Sequence, residues 1–200
     1  MRDRPYRRRS IRLKNYDYSS SGIYFVTICT YNRQCLFGKI INGEMILSET
    51  GRIVGIEWIN VAIARENIML DEYIIMPNHF HGILWIKEIN NGITNFPPKM
   101  HQFGRMVSGS LSAIIRGFKS AVTNRLHRIS ESSGKAIWQR NFYEHVIRDE
   151  TSLNRIREYI ISNPLSWELD RENSERKGED GFYSWLASFK TMPKVKVGAR

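Results

Sequence analysis

The chain has 200 residues, a length that fits one domain with a single hydrophobic core. No stretch approaches the roughly 20 apolar residues of a membrane span, and the Arg-rich start lacks the apolar segment of a secretory signal, so we expect a cytoplasmic protein without a membrane partner. Two cysteines, Cys29 and Cys35, exclude a disulfide scaffold. The formal net charge of +10 favours a polyanionic partner such as nucleic acid.

The first residues form a basic arm, which we assign to residues 1–21. Seven Arg or Lys side chains occur before residue 15, with only Asp3 opposing them. Such an arm is expected to order on a phosphate backbone, although a solvated tail would have the same composition. The candidate DNA contacts in it are Arg7, Arg8, Arg9 and Arg12.

The next part of the chain alternates β-prone runs with one helical pattern. Branched and aromatic residues predict strands, Asn42-Gly43 predicts a tight hairpin turn, and Ser48 is a plausible helix N-cap. These signals give a strand at residues 23–31, a hairpin within 36–47, a helix from 48 to about 65, and a second hairpin of 68–76 with 79–87. Residues 89–109, rich in Gly and Pro, read as a loop or insertion.

The second half contains two more helical patterns and one strand. Apolar residues at helical spacing predict a helix over 111–129, and Arg116, Lys119 and Arg125 on its basic face are further candidate DNA contacts. A strand is expected within 137–148, and a third helix ends at Asn163 before Pro164. Residues 168–200 read as a polar and basic tail around an aromatic patch.

The order strand, helix, strand, strand, helix, strand predicts an α+β fold. It is the ferredoxin-like β-α-β-β-α-β plan with an antiparallel sheet, to which a C-terminal helix is appended. We place this domain at residues 22–167. A sheet of this kind with one exposed face is also used by proteins that bind single-stranded nucleic acid.

His79 and His81 form the first half of a candidate site. Side chains two apart on a strand share a face, about 7 Å apart along it at ~3.3 Å per residue, so both imidazoles can reach one metal ion. Phe80 between them points into the core. Two histidines on a polar sheet face would show the same spacing.

Tyr159 and Asn163 form the second half. Four residues apart on a helix, they share a face about 6 Å apart along the axis, at about 1.5 Å per residue. A phenol and a carboxamide oxygen can therefore be offered together to a metal held by the histidines. Alone, Tyr159 would be a half-buried core residue and Asn163 a helix terminator.

Three blocks of this sequence resemble the REP-associated tyrosine transposases, which are single-tyrosine HUH transposases. The blocks run from Met76 to His81, from Ile137 to Arg148 and from Arg157 to Pro164, and the resemblance spans roughly residues 22–167. It implies that His79, His81 and Asn163 bind a divalent metal, Mg²⁺ or Mn²⁺, and that the catalytic nucleophile is Tyr159. It also implies that the appended helix carries this nucleophile.

The activity implied by the resemblance is cleavage and rejoining of single-stranded DNA through a 5′-phosphotyrosine, at hairpins of the REP type. The bound metal would polarise the scissile phosphate. Two other functions fit the same residues: a non-catalytic module that binds single-stranded nucleic acid, and a metal-dependent hydrolase that uses the His pair with water. No Asp or Glu lies near the His pair in sequence as a general base, which disfavours the hydrolase. The sequence leaves open whether the protein is a monomer or a homodimer.

Overall fold

The computed structural model describes residues 21–88, 109–129 and 135–188, and these residues form an α+β fold. The strands are β1 (Gly22–Cys29), β2 (Gly38–Ile41), β3 (Glu44–Leu47), β4 (Ile68–Met76), β5 (His79–Ile86) and β6 (Tyr143–Ile147). The helices are α1 (Glu49–Ile63), α2 (Leu111–Ile129), α3 (Glu150–Ser162) and α4 (Gly181–Ser188).

The main sheet has four strands in the order β4-β5-β1-β6, with every neighbouring pair antiparallel. Since α1 precedes β4 and α2 precedes β6, this order is the ferredoxin-like arrangement that the sequence predicts. The strands β2 and β3 form a separate hairpin. The predicted fold class, with α3 appended after the last strand, is confirmed.

The two faces of the sheet carry two different hydrophobic cores, because successive side chains of a strand point to opposite faces. On β1, Tyr24, Val26 and Ile28 join the core under α1 and α2. Phe25 lies in the second core, which α3 and α4 cover. Side chains on this face of the sheet therefore point toward α3.

Local signals for the element ends are also confirmed. The Ser48 side chain accepts a hydrogen bond from the Gly51 backbone N–H at the start of α1. The structure shows a second cap of this kind, in which Asp149 accepts from the Ser152 backbone N–H at the start of α3. Asn42 and Gly43 both have positive φ, as a tight hairpin turn of type I′ requires. The helix over 111–129 has the predicted bounds.

The last strand lies within its predicted range of 137–148, and Trp138 forms only an isolated bridge to Thr30 before the chain joins the sheet as β6. One element differs from the sequence predictions. The helix α4 lies within the stretch interpreted as a tail. Its eight residues are too few to give a clear helical period, and the polar and basic residues around it are typical of a tail.

Several predictions lie outside the described residues. They are the basic arm with Arg7, Arg8, Arg9 and Arg12, the insertion apart from Gly109, and the last part of the tail. Within the described ranges, no helix combines the length and the apolar character needed to cross a membrane.

Candidate metal centre and tyrosine site

The His pair lies on the sheet face predicted from its spacing. On β5, His79 is opposite Cys29 of β1, and His81 is opposite Thr27. Both histidines are fully buried on the α3 side, while Phe80 belongs to the core on the other face. The orientation required for a metal site next to α3 is therefore confirmed.

The ring nitrogens of the pair lie close to each other and to a buried carboxylate. The Nε2 atoms of His79 and His81 are 2.9 Å apart, and an Asp170 carboxylate oxygen lies 3.7 Å from the Nε2 atom of His79. The ligand atoms of all three residues lie within 4.8 Å of one another, and all three side chains are buried. Two nitrogens held at about 2.0–2.2 Å by one cation would be roughly 3 Å apart, so these three residues fit a single metal ion. We call His79, His81 and Asp170 the metal group.

Asn78 fixes the orientation of His79. The Asn78 amide nitrogen donates to the carbonyl oxygens of Arg33 at 3.2 Å and Glu172 at 2.8 Å. Its Oδ1 atom therefore faces the Nδ1 atom of His79, at 2.9 Å, and can only accept. Burial, with a further contribution from Arg33, lowers the pKa of His79 to about 3, so this ring is neutral with its Nε2 lone pair toward the centre.

His81 is held from its other side by a hydroxyl. Its Nδ1 atom lies 2.9 Å from the Thr27 hydroxyl, and its ring stacks against Phe25 with centroids 5.4 Å apart. Burial, followed by the neighbouring His79, keeps the pKa of His81 well below its usual range. Two neutral imidazoles are what a divalent metal needs from histidine ligands.

Tyr159 reaches this centre from α3. Its hydroxyl oxygen lies 3.4 Å from the Nε2 atom of His81, 3.3 Å from a carboxylate oxygen of Asp170 and 3.4 Å from one of Asp180. The ring stacks on Phe182 of α4, with centroids 3.5 Å apart and planes 4° from parallel. Burial raises the pKa of Tyr159, and Tyr183 and the two aspartates raise it further, so the phenol is held protonated.

The position of α3 over the sheet is set by apolar packing and by one ion pair. Leu153, Ile156 and Ile160 are buried in the second core. Arg157 donates to both carboxylate oxygens of Asp71, at 2.8 and 2.6 Å. This two-point contact ties α3 to β4 and lowers the pKa of Asp71.

Asn163 lies at the end of α3 and contacts Asp170, the carboxylate that lies beside the His pair. Its side-chain nitrogen donates to a carboxylate oxygen of Asp170 at 2.9 Å, which orients the amide. Its Oδ1 atom is buried and has no hydrogen-bond partner within the described part of the chain. A buried acceptor left free in this way fits a cation nearby.

Sequence reasoning missed three residues of the site, namely Asp170, Asp180 and Phe182, all in the stretch that carries no recognised motif. No acid lies near the His pair in sequence, and the carboxylate beside it comes from far along the chain, because the loop after α3 returns Asp170 to the sheet. Loop residues follow no periodicity, so no sequence signal could have placed this carboxylate.

The basic face of α2 lies on the opposite side of the sheet from Tyr159. Of its candidate DNA contacts, Arg116 is exposed, while Arg125 pairs with Glu57 of α1 at 2.9 Å. The Lys119 ammonium group turns inward to the carbonyl oxygen of Gln139, and burial lowers its pKa to about 8.

Comparisons with known proteins agree with this architecture. A scan against protein families finds no match. The chain is 45% identical over 167 residues to an uncharacterized protein of Haemophilus influenzae, covering 82% of this chain and 92% of the relative. It is 26% identical over 155 residues to a putative REP-associated tyrosine transposase of the same organism, covering 76% and 77%. A solved structure of a REP-associated tyrosine transposase bound to a REP hairpin superposes with a TM-score of 0.52 at 19% identity, covering 96% and 98%.

The fold of the described residues is similar to that of the solved REP-associated tyrosine transposase. By its 45% identity over most of both chains, the protein belongs to one family with the first of these Haemophilus influenzae proteins. The resemblance to REP-associated tyrosine transposases indicated by the three sequence blocks is confirmed.

Proposed function

We propose that the protein is a transposase of single-stranded DNA, in which Tyr159 cleaves and rejoins strands next to a divalent metal. The observation that carries this proposal is the Tyr159 hydroxyl, which lies within 3.4 Å of both His81 and Asp170 of the metal group. A nucleophile is activated when a metal or base lies beside it, and here the hydroxyl lies beside carboxylates that can act as a base and beside residues that would hold a metal. The direct test is an SDS-resistant adduct between the protein and labelled single-stranded DNA from the flanks of its own gene, formed with Mn²⁺.

In the proposed reaction, the Tyr159 oxygen forms a bond to the scissile phosphorus while the bond from phosphorus to the 3′ oxygen breaks. The phenolic proton passes to the Asp180 carboxylate, 3.4 Å away, and the departing 3′ oxygen takes up a proton from water. The 5′ end of one fragment stays on Tyr159, and the other fragment keeps a free 3′-hydroxyl. A second 3′-hydroxyl can reverse the step, because the phosphodiester energy is conserved in the phosphotyrosine.

His79, His81 and Asp170 would hold the metal, and the free Oδ1 atom of Asn163 is a candidate further ligand. When bound, a divalent ion would polarise the phosphate and stabilise charge in the in-line transition state. A mixed nitrogen and oxygen set with open positions suits Mn²⁺ or Mg²⁺.

Asp170 should contribute more to metal binding than Asn163. We expect Asp170→Asn to weaken Mn²⁺ binding by about tenfold or more, because the amide keeps the shape but loses the negative charge that binds a cation. Isothermal titration calorimetry measures the change. Asp180→Asn is the matched control: it also neutralises an acid beside Tyr159, yet Asp180 is outside the metal group and should change the affinity far less. Equal losses in the two variants would contradict a ligand role for Asp170.

The proposed partner is single-stranded or hairpin DNA of the REP type. The net charge of +10 supports binding to phosphates, and the solved relative of the same fold was bound to a REP hairpin. We place the candidate contacts on the basic arm (Arg7, Arg8, Arg9 and Arg12) and on Arg116, Lys119 and Arg125 of α2. Because α2 lies across the sheet from Tyr159, its contacts would hold DNA away from the cleavage point.

Binding should weaken steeply with salt and should favour a hairpin with single-stranded flanks over a matched duplex. Phosphate contacts release counterions, each adding roughly 0.7 to 0.9 to the slope of log affinity against log salt. Fluorescence anisotropy across a salt series gives this slope. Removing residues 1–14 should reduce both affinity and slope if the arm touches phosphates, whereas a flat salt response of the full chain would refute the electrostatic proposal.

The hydrolase remains a second candidate, because the structure supplies an acid that the sequence neighbourhood of the His pair lacks. Two histidines and a carboxylate are also a ligand set of zinc hydrolases, which activate water at an open metal position. A hydrolase would turn over repeatedly and leave no covalent adduct, so the adduct gel separates the two reactions.

A further inference from the structure

The His81 ring is the first member of a buried hydrogen-bond chain that reaches α4. The Thr27 hydroxyl on β1 lies 2.9 Å from the Nδ1 atom of His81 and 2.9 Å from the hydroxyl of Tyr183 on α4. Thr27 is 2% exposed and Tyr183 7%, so neither hydroxyl can exchange this partner freely for water. A hydroxyl has a single hydrogen to donate, so which neighbour it donates to and which it accepts from is fixed by the other members of the chain.

The contacts of His79 set the direction of this chain. Because Asn78 can only accept from His79, the His79 proton is on Nδ1 and its Nε2 atom is an acceptor. The 2.9 Å contact between the two Nε2 atoms then takes its hydrogen from His81. The Nδ1 atom of His81 is consequently an acceptor, and the Thr27 hydroxyl donates to it.

A cation on both Nε2 atoms requires the other tautomer of His81, since a metal replaces the Nε2 proton. That proton must then be carried on Nδ1, which turns from acceptor to donor. The Thr27 oxygen accepts from it, the Thr27 O–H turns to the Tyr183 oxygen, and the Tyr183 O–H, which donates to Thr27 in the first arrangement, turns away from Thr27. The change needs no net gain or loss of protons, because His81 is neutral on both sides of it.

We propose that Thr27 and Tyr183 form a hydroxyl relay that lets His81 change tautomer when a divalent metal binds. A hydroxyl can serve both tautomers because it donates and accepts, whereas a carbonyl or carboxylate serves only one. Tyr183 is then a positioning residue of the metal centre, and α4 belongs functionally to that centre. The inference rests on the metal binding in the proposed function, but not on the DNA chemistry.

The test is Tyr183→Phe, which removes one hydroxyl and keeps the ring that packs against Tyr143 and Tyr159. In the metal-bound tautomer the Thr27 O–H would lose its acceptor, while in the other tautomer it still donates to His81. Metal binding alone is therefore penalised, and we expect about tenfold weaker Mn²⁺ binding by calorimetry. Tyr73→Phe, on the opposite face of the sheet, is the matched control and should bind Mn²⁺ like the wild type.

Thr27 gives a second, independent pair of variants. Thr27→Val removes the hydroxyl at nearly constant volume and should weaken Mn²⁺ binding at least as much as Tyr183→Phe. Thr27→Ser keeps the hydroxyl and should retain most of the wild-type Mn²⁺ affinity. Unchanged binding in Tyr183→Phe, or equal losses in the Val and Ser variants, would overturn the relay.

Nitrogen-15 NMR of the histidine rings reads the tautomers directly. His81 should carry its proton on Nε2 in the metal-free protein and on Nδ1 with Zn²⁺, a diamagnetic probe, while His79 keeps Nδ1–H throughout. His81 already protonated on Nδ1 without metal would overturn the proposal. A tautomer change without any DNA adduct would refute the transposase chemistry and leave the relay intact. A DNA adduct together with normal Mn²⁺ binding in Tyr183→Phe would support the transposase chemistry and refute the relay.

Discussion

Replacing Tyr159 by Phe is expected to abolish the covalent DNA adduct and to lower strand cleavage by at least about a thousandfold, because the variant lacks the attacking oxygen. The Phe ring can keep the stacking contact with Phe182 and the packing of α3 on the sheet. DNA and Mn²⁺ affinities should therefore stay within about threefold of the wild type. A denaturing gel of labelled DNA measures adduct and cleavage together.

Tyr73→Phe is the matched control for this variant, since it removes a phenolic hydroxyl from the opposite face of the sheet. It should form adduct at the wild-type rate. Mapping the phosphotyrosyl peptide then identifies the attacking residue directly. Cleavage that continues in Tyr159→Phe with no adduct would mean that water attacks, and the hydrolase would become the better description.

The parts of the fold and site that follow strict periodicity could be predicted from sequence. A strand places His79 and His81 on one face whatever surrounds them, and a helix places Tyr159 and Asn163 together. The order of the elements then determines that α3 covers the face with the histidines. Local periodicity therefore predicted the shared face of His79 and His81, and that of Tyr159 and Asn163, without any tertiary information.

The contribution of the chain after α3 could not be predicted. Asp170 reaches the His pair from a loop, where neither helical nor strand period applies, and Asp180 arrives just before the short helix α4. Asn163 then contacts the metal group through Asp170, an arrangement that spacing on α3 alone does not reveal. A carboxylate at such a position is recognisable only once the fold brings distant segments together.

The charged face of α2 illustrates a different limit. Arg116, Lys119 and Arg125 look equivalent in sequence, because all are basic and all fall outside the apolar face of one helix. In the structure Lys119 turns inward to a backbone carbonyl and Arg125 is paired with Glu57, so their availability to a phosphate differs. The partners of long side chains depend on the surrounding tertiary structure, which helical spacing alone does not predict.

The largest effects on metal binding are expected for His81→Ala and His79→Ala, each of which should lower Mn²⁺ affinity by more than about a hundredfold. Loss of a residue that only supports a ligand already costs roughly 10- to 100-fold, and His81 is proposed as a ligand itself. His81→Ala also removes the ring beside the Tyr159 hydroxyl, at 3.4 Å, so adduct formation should disappear with it. His79→Ala should show a similar loss, since its Nε2 atom lies 2.9 Å from that of His81 and both are proposed as ligands.

Both variants remove a buried ring, so their folding must be checked before their affinities are compared. His79→Gln and His81→Gln are the more conservative pair, because Gln fills part of the volume and can still offer one polar atom. Thermal unfolding monitored by circular dichroism gives the stability of each variant, and calorimetry with Mn²⁺ gives its affinity. His127→Gln, a histidine of α2 away from the metal group, is the control and should leave Mn²⁺ binding unchanged. A folded His81→Ala protein that binds Mn²⁺ as tightly as the wild type would show that the metal does not bind at this pair, and the site would have to be sought elsewhere in the chain.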